Sequence, residues 1–191
     1  MTGASGSAYA VRLAQVLLQA EYTVHLVASD AARQVSVREL GVTMPADSAS
    51  SDEWISFLAT SLHSESKHDY SAGIASGSFL TAGMVVCPCS MGTLSSIANG
   101  ASTNLVQRAA DVHLKERRPL VLVPRETPLG MIALQNMTTL TQAGATIMPS
   151  MPGFYQYPTC IADLIDFVVA RACDHLKVEH SLIERWGEGS Q

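Results

Sequence analysis

Lys115-Glu116-Arg117-Arg118-Pro119-Leu120-Val121-Leu122-Val123-Pro124-Arg125-Glu126-Thr127-Pro128 decides the fold. A basic helix end runs into a proline, an unbroken apolar run follows, and a charged pair is then held between Pro124 and Pro128. Continuous apolar residues, rather than alternating ones, mark a strand buried on both faces, as in a parallel sheet covered by helices. In such open sheets ligands sit beyond the carboxyl ends of the strands. Arg125 and Glu126 stand at such an end. The prolines fix the local backbone and push Val123 and Thr127 away from helical conformations. An isolated Arg-Glu pair reads as a solvated turn. The rest of the chain raises a second reading.

Working toward the amino end, residues 84–87 form another buried strand, with Pro88-Cys89-Ser90-Met91-Gly92-Thr93 as the turn into a helix running to about Ala98. Cys-x-Cys without a second pair is not a zinc site, and buried cysteine behaves as a small hydrophobe. Ser90, Gly92 and Thr93 at a helix start suit a phosphate or a polar ring edge. Residues 22–28 are the first strand, and Ser29 caps a helix to about Leu40. Thr2-Gly3-Ala4-Ser5-Gly6-Ser7 enters a helix whose Ala10, Leu13, Ala14, Leu17 and Leu18 share one face. A glycine-rich turn of this type normally follows a strand, so about ten further residues are expected before Met1.

Residues 52–62 read as a helix, and 63–78 as a polar loop whose His63 and His68 have no metal-ligand spacing. Residues 104–117 form a helix with Arg108, Asp111 and Lys115 on one face, either a salt-bridged surface or something more. A helix over 131–143 stops at Gly144, a short strand follows at 145–148, and 149–158 form an ordered arm with three prolines and three aromatics. The last helix, capped by Thr159, carries Ile161, Leu164, Ile165, Val168, Val169, Ala172 and Leu176 as one stripe. Arg171 falls at the stripe's edge, where it meets a partner or snorkels, and His175 falls on the apolar face as a core histidine.

Composition narrows the class. Of 191 residues, 47% are hydrophobic and 15% charged, below the roughly 25% usual for soluble domains, which favours a homo-oligomer that hides apolar surface. No run approaches the ~20 apolar residues of a spanning helix. Net charge −5 with pI about 5.6 argues against nucleic acid. Cys87, Cys89, Cys160 and Cys173 make no disulfide scaffold, which points to a reducing cytoplasm. The expectation is therefore one α/β domain over 1–177, a Rossmann-like or flavodoxin-like doubly wound parallel sheet with helices on both faces, and a tail, 178–191, docking on a neighbouring subunit. Four strand ends (Gly3-Ala4-Ser5, Ser29, Cys89 to Thr93, Arg125-Glu126) open on one edge. They match neither G-x-G-x-x-G nor the P-loop, and suit a mononucleotide such as FMN.

The same residues carry a resemblance. Thr2-Gly3-Ala4-Ser5-Gly6, Ser76-Gly77-Ser78, Cys87-Pro88-Cys89-Ser90-Met91-Gly92-Thr93-Leu94-Ser95, the run from Arg108 to Leu120, Pro124-Arg125-Glu126-Thr127-Pro128 and Pro152-Gly153-Phe154-Tyr155 resemble the UbiX-type flavin prenyltransferases. The resemblance implies transfer of a dimethylallyl group from dimethylallyl phosphate to N5 and C6 of reduced FMN, without a metal. The prenylated FMN then serves a UbiD-type decarboxylase, as in ubiquinone biosynthesis. It implies that Gly3, Ala4, Ser5, Ser29, Ser90, Met91, Gly92, Thr93 and Arg125 hold FMN. Lys115, Tyr155 and Arg171, with Arg108, hold the donor phosphate, at least one of them across a subunit boundary. Glu126 shuttles a proton, with Ser5 and Lys115 in the catalytic set, and Tyr70 with the 63–78 loop shields the reacting group. Glu39 matches an acidic position without an assigned role, and a dodecamer is implied. Rival readings are an aromatic-acid decarboxylase, a non-catalytic FMN carrier and a cysteine-decarboxylating flavoprotein. The last would carry a histidine in residues 1–20 and a Pro-x-Met-Asn-type clamp, both missing here.

Overall fold

In the computed structural model, residues 1–46, 53, 63–64 and 69–185 are described. The expected helix over 52–62 lies outside them save for Glu53, as does His68.

The strands are β1 (His25–Leu26), β2 (His63–Ser64), β3 (Met84–Cys89), β4 (Leu120–Pro124) and β5 (Thr146–Ile147). The helices are α1 (Ser7–Gln19), α2 (Asp30–Leu40), α3 (Met91–Ala98), α4 (Leu105–Lys115), α5 (Met131–Gln142) and α6 (Ile161–Leu176). Among the described residues all strand pairings are parallel. Because parallel neighbours need crossovers, helices necessarily cover the faces.

β4 is the centre of the β3-β4-β5 group and every one of its residues is buried. Val121 and Val123 point into the core shared with α1 and α6, whereas Leu120 and Leu122 point into the core shared with α3, α4 and α5. The opening stretch is thus a period-two strand with two apolar faces rather than one. Burying each of these side chains contributes about 1.5–3 kcal/mol.

Two features depart from the sequence reading. The strand expected over 22–28 is laddered only at His25–Leu26, and the 63–78 stretch contributes β2 and a 3-10 turn at Gly73–Ala75. Among the described residues the strands ladder as a β1-β2 pair and a β3-β4-β5 group. Between the two groups lies an apolar cavity of about 540 Å³, lined among others by Met1, Leu13, Leu26, Val85 and His113. At its carboxyl end Met1 and Thr2 bridge the groups. The Met1 amine donates to Val27 O (2.6 Å), Ser29 N–H to Met1 O (3.1 Å), and Thr2 N–H to Pro88 O (3.2 Å).

The final helix also corrects two residues. Ile161 is 75% exposed, so the apolar stripe begins at Leu164, and His175 is exposed rather than in the core. The N-cap is Cys160, not Thr159. Asp163 reaches back to the N–H groups of Thr159 and Cys160 (2.7 and 3.1 Å), which hold its carboxyl down at about 2.

Candidate functional site

The carboxyl edge is assembled by backbone register. Thr2 Oγ1 donates to Pro88 O (2.8 Å) and accepts from Ser90 N–H (2.7 Å), while Met1 O holds Ser29 N–H. These bonds draw the starts of α1, α2 and α3 together. Ser29 Oγ accepts from Ala32 N–H (3.1 Å), and Ser90 Oγ accepts from Thr93 N–H (3.4 Å) and donates to Thr93 Oγ1 (3.1 Å). Both are N-caps, Ser29 as read from the sequence and Ser90 as a finding of the structure. A Cβ on Gly3 would overlap the Ala31 side chain, so the first turn lies against α2. Gly92, in contrast, has open space around it, leaving the first turn of α3 accessible to a ligand.

Cys89 is paired with Pro124, so Arg125 and Glu126 emerge directly beside Ser90. Both are exposed, and Glu126 Oε1 accepts from Thr127 N–H (3.1 Å). Gly3, Ala4, Ser5, Ser29, the Ser90 to Thr93 turn, Arg125 and Glu126 therefore border one edge. A cluster of N–H donors, hydroxyls and a guanidinium is suited to a phosphorylated, polar-edged ligand.

The glycine turn itself is already served. Glu39, from the last turn of α2, takes Gly6 N–H (3.1 and 3.0 Å) and Ser7 N–H (2.8 Å). Burial alone would raise its pKa; the Ser5 hydroxyl and the Ser7 and Gly6 N–H groups more than offset this and keep it below the usual carboxylate range. The first donors of α1 thus hold an internal carboxylate and are not free for an external anion. Gly3, Ala4 and Ser5 precede those donors, and the Ser5 hydroxyl is itself bonded to Glu39. Sequence spacing could not reveal this, because the partners lie 33 residues apart.

The donor-side residues are placed differently. α4 runs back along the sheet, and Lys115 sits near the amino end of β4, where Met84 N–H meets Pro119 O (2.9 Å). Glu126 lies past the other end of that five-residue strand, roughly 16 Å away along the sheet at ~3.3 Å per residue. Lys115 pairs with Glu116 (3.7 Å), not with Asp111. Asp111 instead takes Arg108 (2.8 Å), whose Nε also donates to Ala75 O (3.1 Å). Tyr70 is half exposed and donates to Ser102 O (3.2 Å). Tyr155 rests edge-on against Phe167 of α6 (centroids 5.6 Å), and Arg171, one turn along, pairs with Asp174 (2.7 Å). Leu176 at the end of that helix packs near Gly83 and Pro119, again toward the amino edge. Within one chain Lys115 and Glu126 therefore stand at opposite ends of β4.

Cys87 and Cys89 are buried, and burial pushes each thiol up to about 12, so both act as apolar filler. Among the described residues no group of three or more metal-ligating side chains comes together, and no helix is long and apolar enough to cross a membrane.

Residues 1–173 match the family model described as Flavoprotein. A flavin prenyltransferase UbiX from Alkalihalophilus pseudofirmus is 55% identical over 98% of this chain and 94% of its own. Among solved structures, a UbiX protein in complex with FMN and dimethylallyl pyrophosphate superposes with TM-score 0.87 at 39% identity, over 100% of this chain and 96% of that one. A dodecameric, FMN-dependent UbiX-like decarboxylase from Escherichia coli O157:H7 gives TM-score 0.83 at 40% identity, over 97% and 99%.

Proposed function

Because the chain belongs to the flavoprotein family and, within it, to the UbiX-type flavin prenyltransferases, we propose that it joins the dimethylallyl group of dimethylallyl phosphate to N5 and C6 of reduced FMN. The observation that carries the site assignment is the register that sets Arg125 and Glu126 beside Ser90 and the starts of α1 and α2. FMN supplies the nucleophilic ring. Gly3, Ala4, Ser5, Ser29, Ser90, Met91, Gly92, Thr93 and Arg125 bind and orient it. The allylic C–O bond breaks, the N5–carbon bond forms, and the N5 proton leaves with the phosphate. Arg108, Lys115, Tyr155 and Arg171 stabilise the charge that develops on that phosphate, the task of fixed cations and donors in a transition state. Glu126 delivers a proton to the prenyl alkene and recovers the one displaced from C6 as the ring closes, so it acts catalytically without net consumption.

The separation of Lys115 from Glu126 supports a site completed by a second copy. Apolar side chains exposed on the arm and neighbouring helix starts (Ile132, Met151, Phe154, Tyr157 and Ile161, each 66–88% exposed) give such copies a surface to bury. We extend the dodecamer of the UbiX-like relative to this chain. Prenylated FMN would pass to a UbiD-type decarboxylase, and the free thiols fit action in the cytoplasm.

The test is anaerobic incubation with reduced FMN and dimethylallyl phosphate, then mass analysis of the flavin. Gain of one C5H8 unit with release of phosphate is expected. An unchanged flavin mass with turnover of an aromatic acid would favour the decarboxylase reading, a word that the descriptions of two solved relatives carry.

A further inference from the structure

Asp174 lies one turn beyond Arg171 on α6, and its carboxylate gathers three donors. Arg171 Nη1 approaches Oδ2 at 2.7 Å, while His180 Nε2 and Arg185 Nη2 each approach Oδ1 at 3.1 Å. The last two come from the segment after Lys177, a residue whose φ of 59° turns the chain back at the helix end. That segment is anchored. Val178 is buried, Leu182 packs on the core shared by α1 and α6, and the His180 side chain is 2% exposed. It also reaches the Tyr155 turn, where the Gln156 side-chain N–H donates to Glu184 O (3.1 Å). One strap therefore touches the elements that carry both Tyr155 and Arg171.

An exposed i,i+3 ion pair alone contributes little. This one is asymmetric: the Asp174 side chain is 17% exposed and that of Arg171 is 48%. The carboxylate sits inward and the guanidinium outward. Burial alone would raise the pKa of Asp174; the bonds and charges of His180 and Arg185 lower it and keep it ionised. A carboxylate matched only to Arg171 would cancel the charge that an anion needs. Shared with Arg185, it fixes the geometry while the cluster stays net positive even with His180 neutral.

We propose that Asp174 is a positioning residue for Arg171, holding its guanidinium so that the outward N–H groups face the phosphate of the prenyl donor, with the 178–185 strap, through His180 and Arg185, completing that hold. The inference rests on the donor-site role given to Arg171 above.

The test uses the full chain with saturating reduced FMN and varied dimethylallyl phosphate. Asp174→Asn should raise the KM for the donor about tenfold while kcat stays within about threefold and FMN affinity is unchanged. In an Arg171→Ala background the same substitution should add less than about twofold, because its effect acts through Arg171. If Asp174→Asn does not fold, Arg185→Gln is read by the same cycle, with a smaller rise in KM. Additive effects in the double variant, or a loss that follows FMN affinity and Tm instead of donor KM, would overturn the proposal. An Arg171→Ala chain with unchanged donor KM would instead remove the donor-site role of Arg171, and the inference with it, while leaving the prenyl transfer measured on the wild-type chain intact.

Discussion

The two edges of the sheet are built in opposite ways. At the carboxyl edge, hydroxyls and N–H groups are locked to one another: Thr2 to Pro88 and Ser90, Ser29 and Ser90 to their helices, Glu39 to the glycine turn. Toward the amino edge the groups proposed for the donor are long cations on helix surfaces, held by ion pairs and half exposed, as with Lys115 and Arg171. The first arrangement suits the flat, polar-edged ligand proposed for it. The second offers charge that a neighbouring copy can use. A rigid edge and an adaptable one, at opposite ends of β4, are what a site shared between subunits needs.

The largest effect that could break this contrast is catalytic. Glu126→Gln should bind FMN normally and lower ring closure by about 10²–10⁴-fold, the range of lost proton transfer. Single-turnover formation of the cyclised flavin measures it, and wild-type rates would remove Glu126 from the mechanism. On the structural side, Leu122→Ala should destabilise the fold by about 2–5 kcal/mol, since this side chain is fully buried between β4 and the helices of one face. Denaturant unfolding reads that directly. Ser90→Ala should cost less, about 0.5–2 kcal/mol, through loss of the α3 cap, and should weaken FMN binding as well. A cap loss without any change in flavin affinity would make Ser90 structural only. The smallest effect is that of pH. Glu39 has its folded pKa depressed, so its stabilisation is complete above the ordinary value of 4.5 and is lost as pH falls through the lower folded one. Acid unfolding below about pH 4.5 should therefore be less steep for Glu39→Gln than for the wild type.

Much of the rigid edge was legible in the sequence and little of the adaptable one. Leu120-Val121-Leu122-Val123 announces a strand buried on both faces, and Ser29 announces a cap, because these signals act over a few residues. The position of Arg125 and Glu126 follows once that strand is placed. Glu39 was not assignable, since it reaches the α1 turn across a tertiary contact. His175 and Ile161 lie on the apolar side of an ideal helical wheel yet are exposed, because the wheel does not show which neighbours cover each turn of α6. Cys160 displaced Thr159 as cap because Asp163 can bond to both N–H groups. The distance between Lys115 and Glu126 was hidden by their nearness in sequence: the helix-to-strand reversal at Pro119 separates residues only eleven apart by the length of β4.

The central claim, that one edge of a chain works with the other edge of its neighbour, is tested most directly by mixing two inactive variants. Lys115→Ala and Glu126→Gln chains are unfolded together, reassembled, and assayed for prenylated flavin. With shared sites and random assembly, about a quarter of the sites would join an intact Glu126 to an intact Lys115 from another copy, and activity near that fraction of the wild type should return. Activity no higher than that of the separate variants would place both residues in one chain's site and contradict the account.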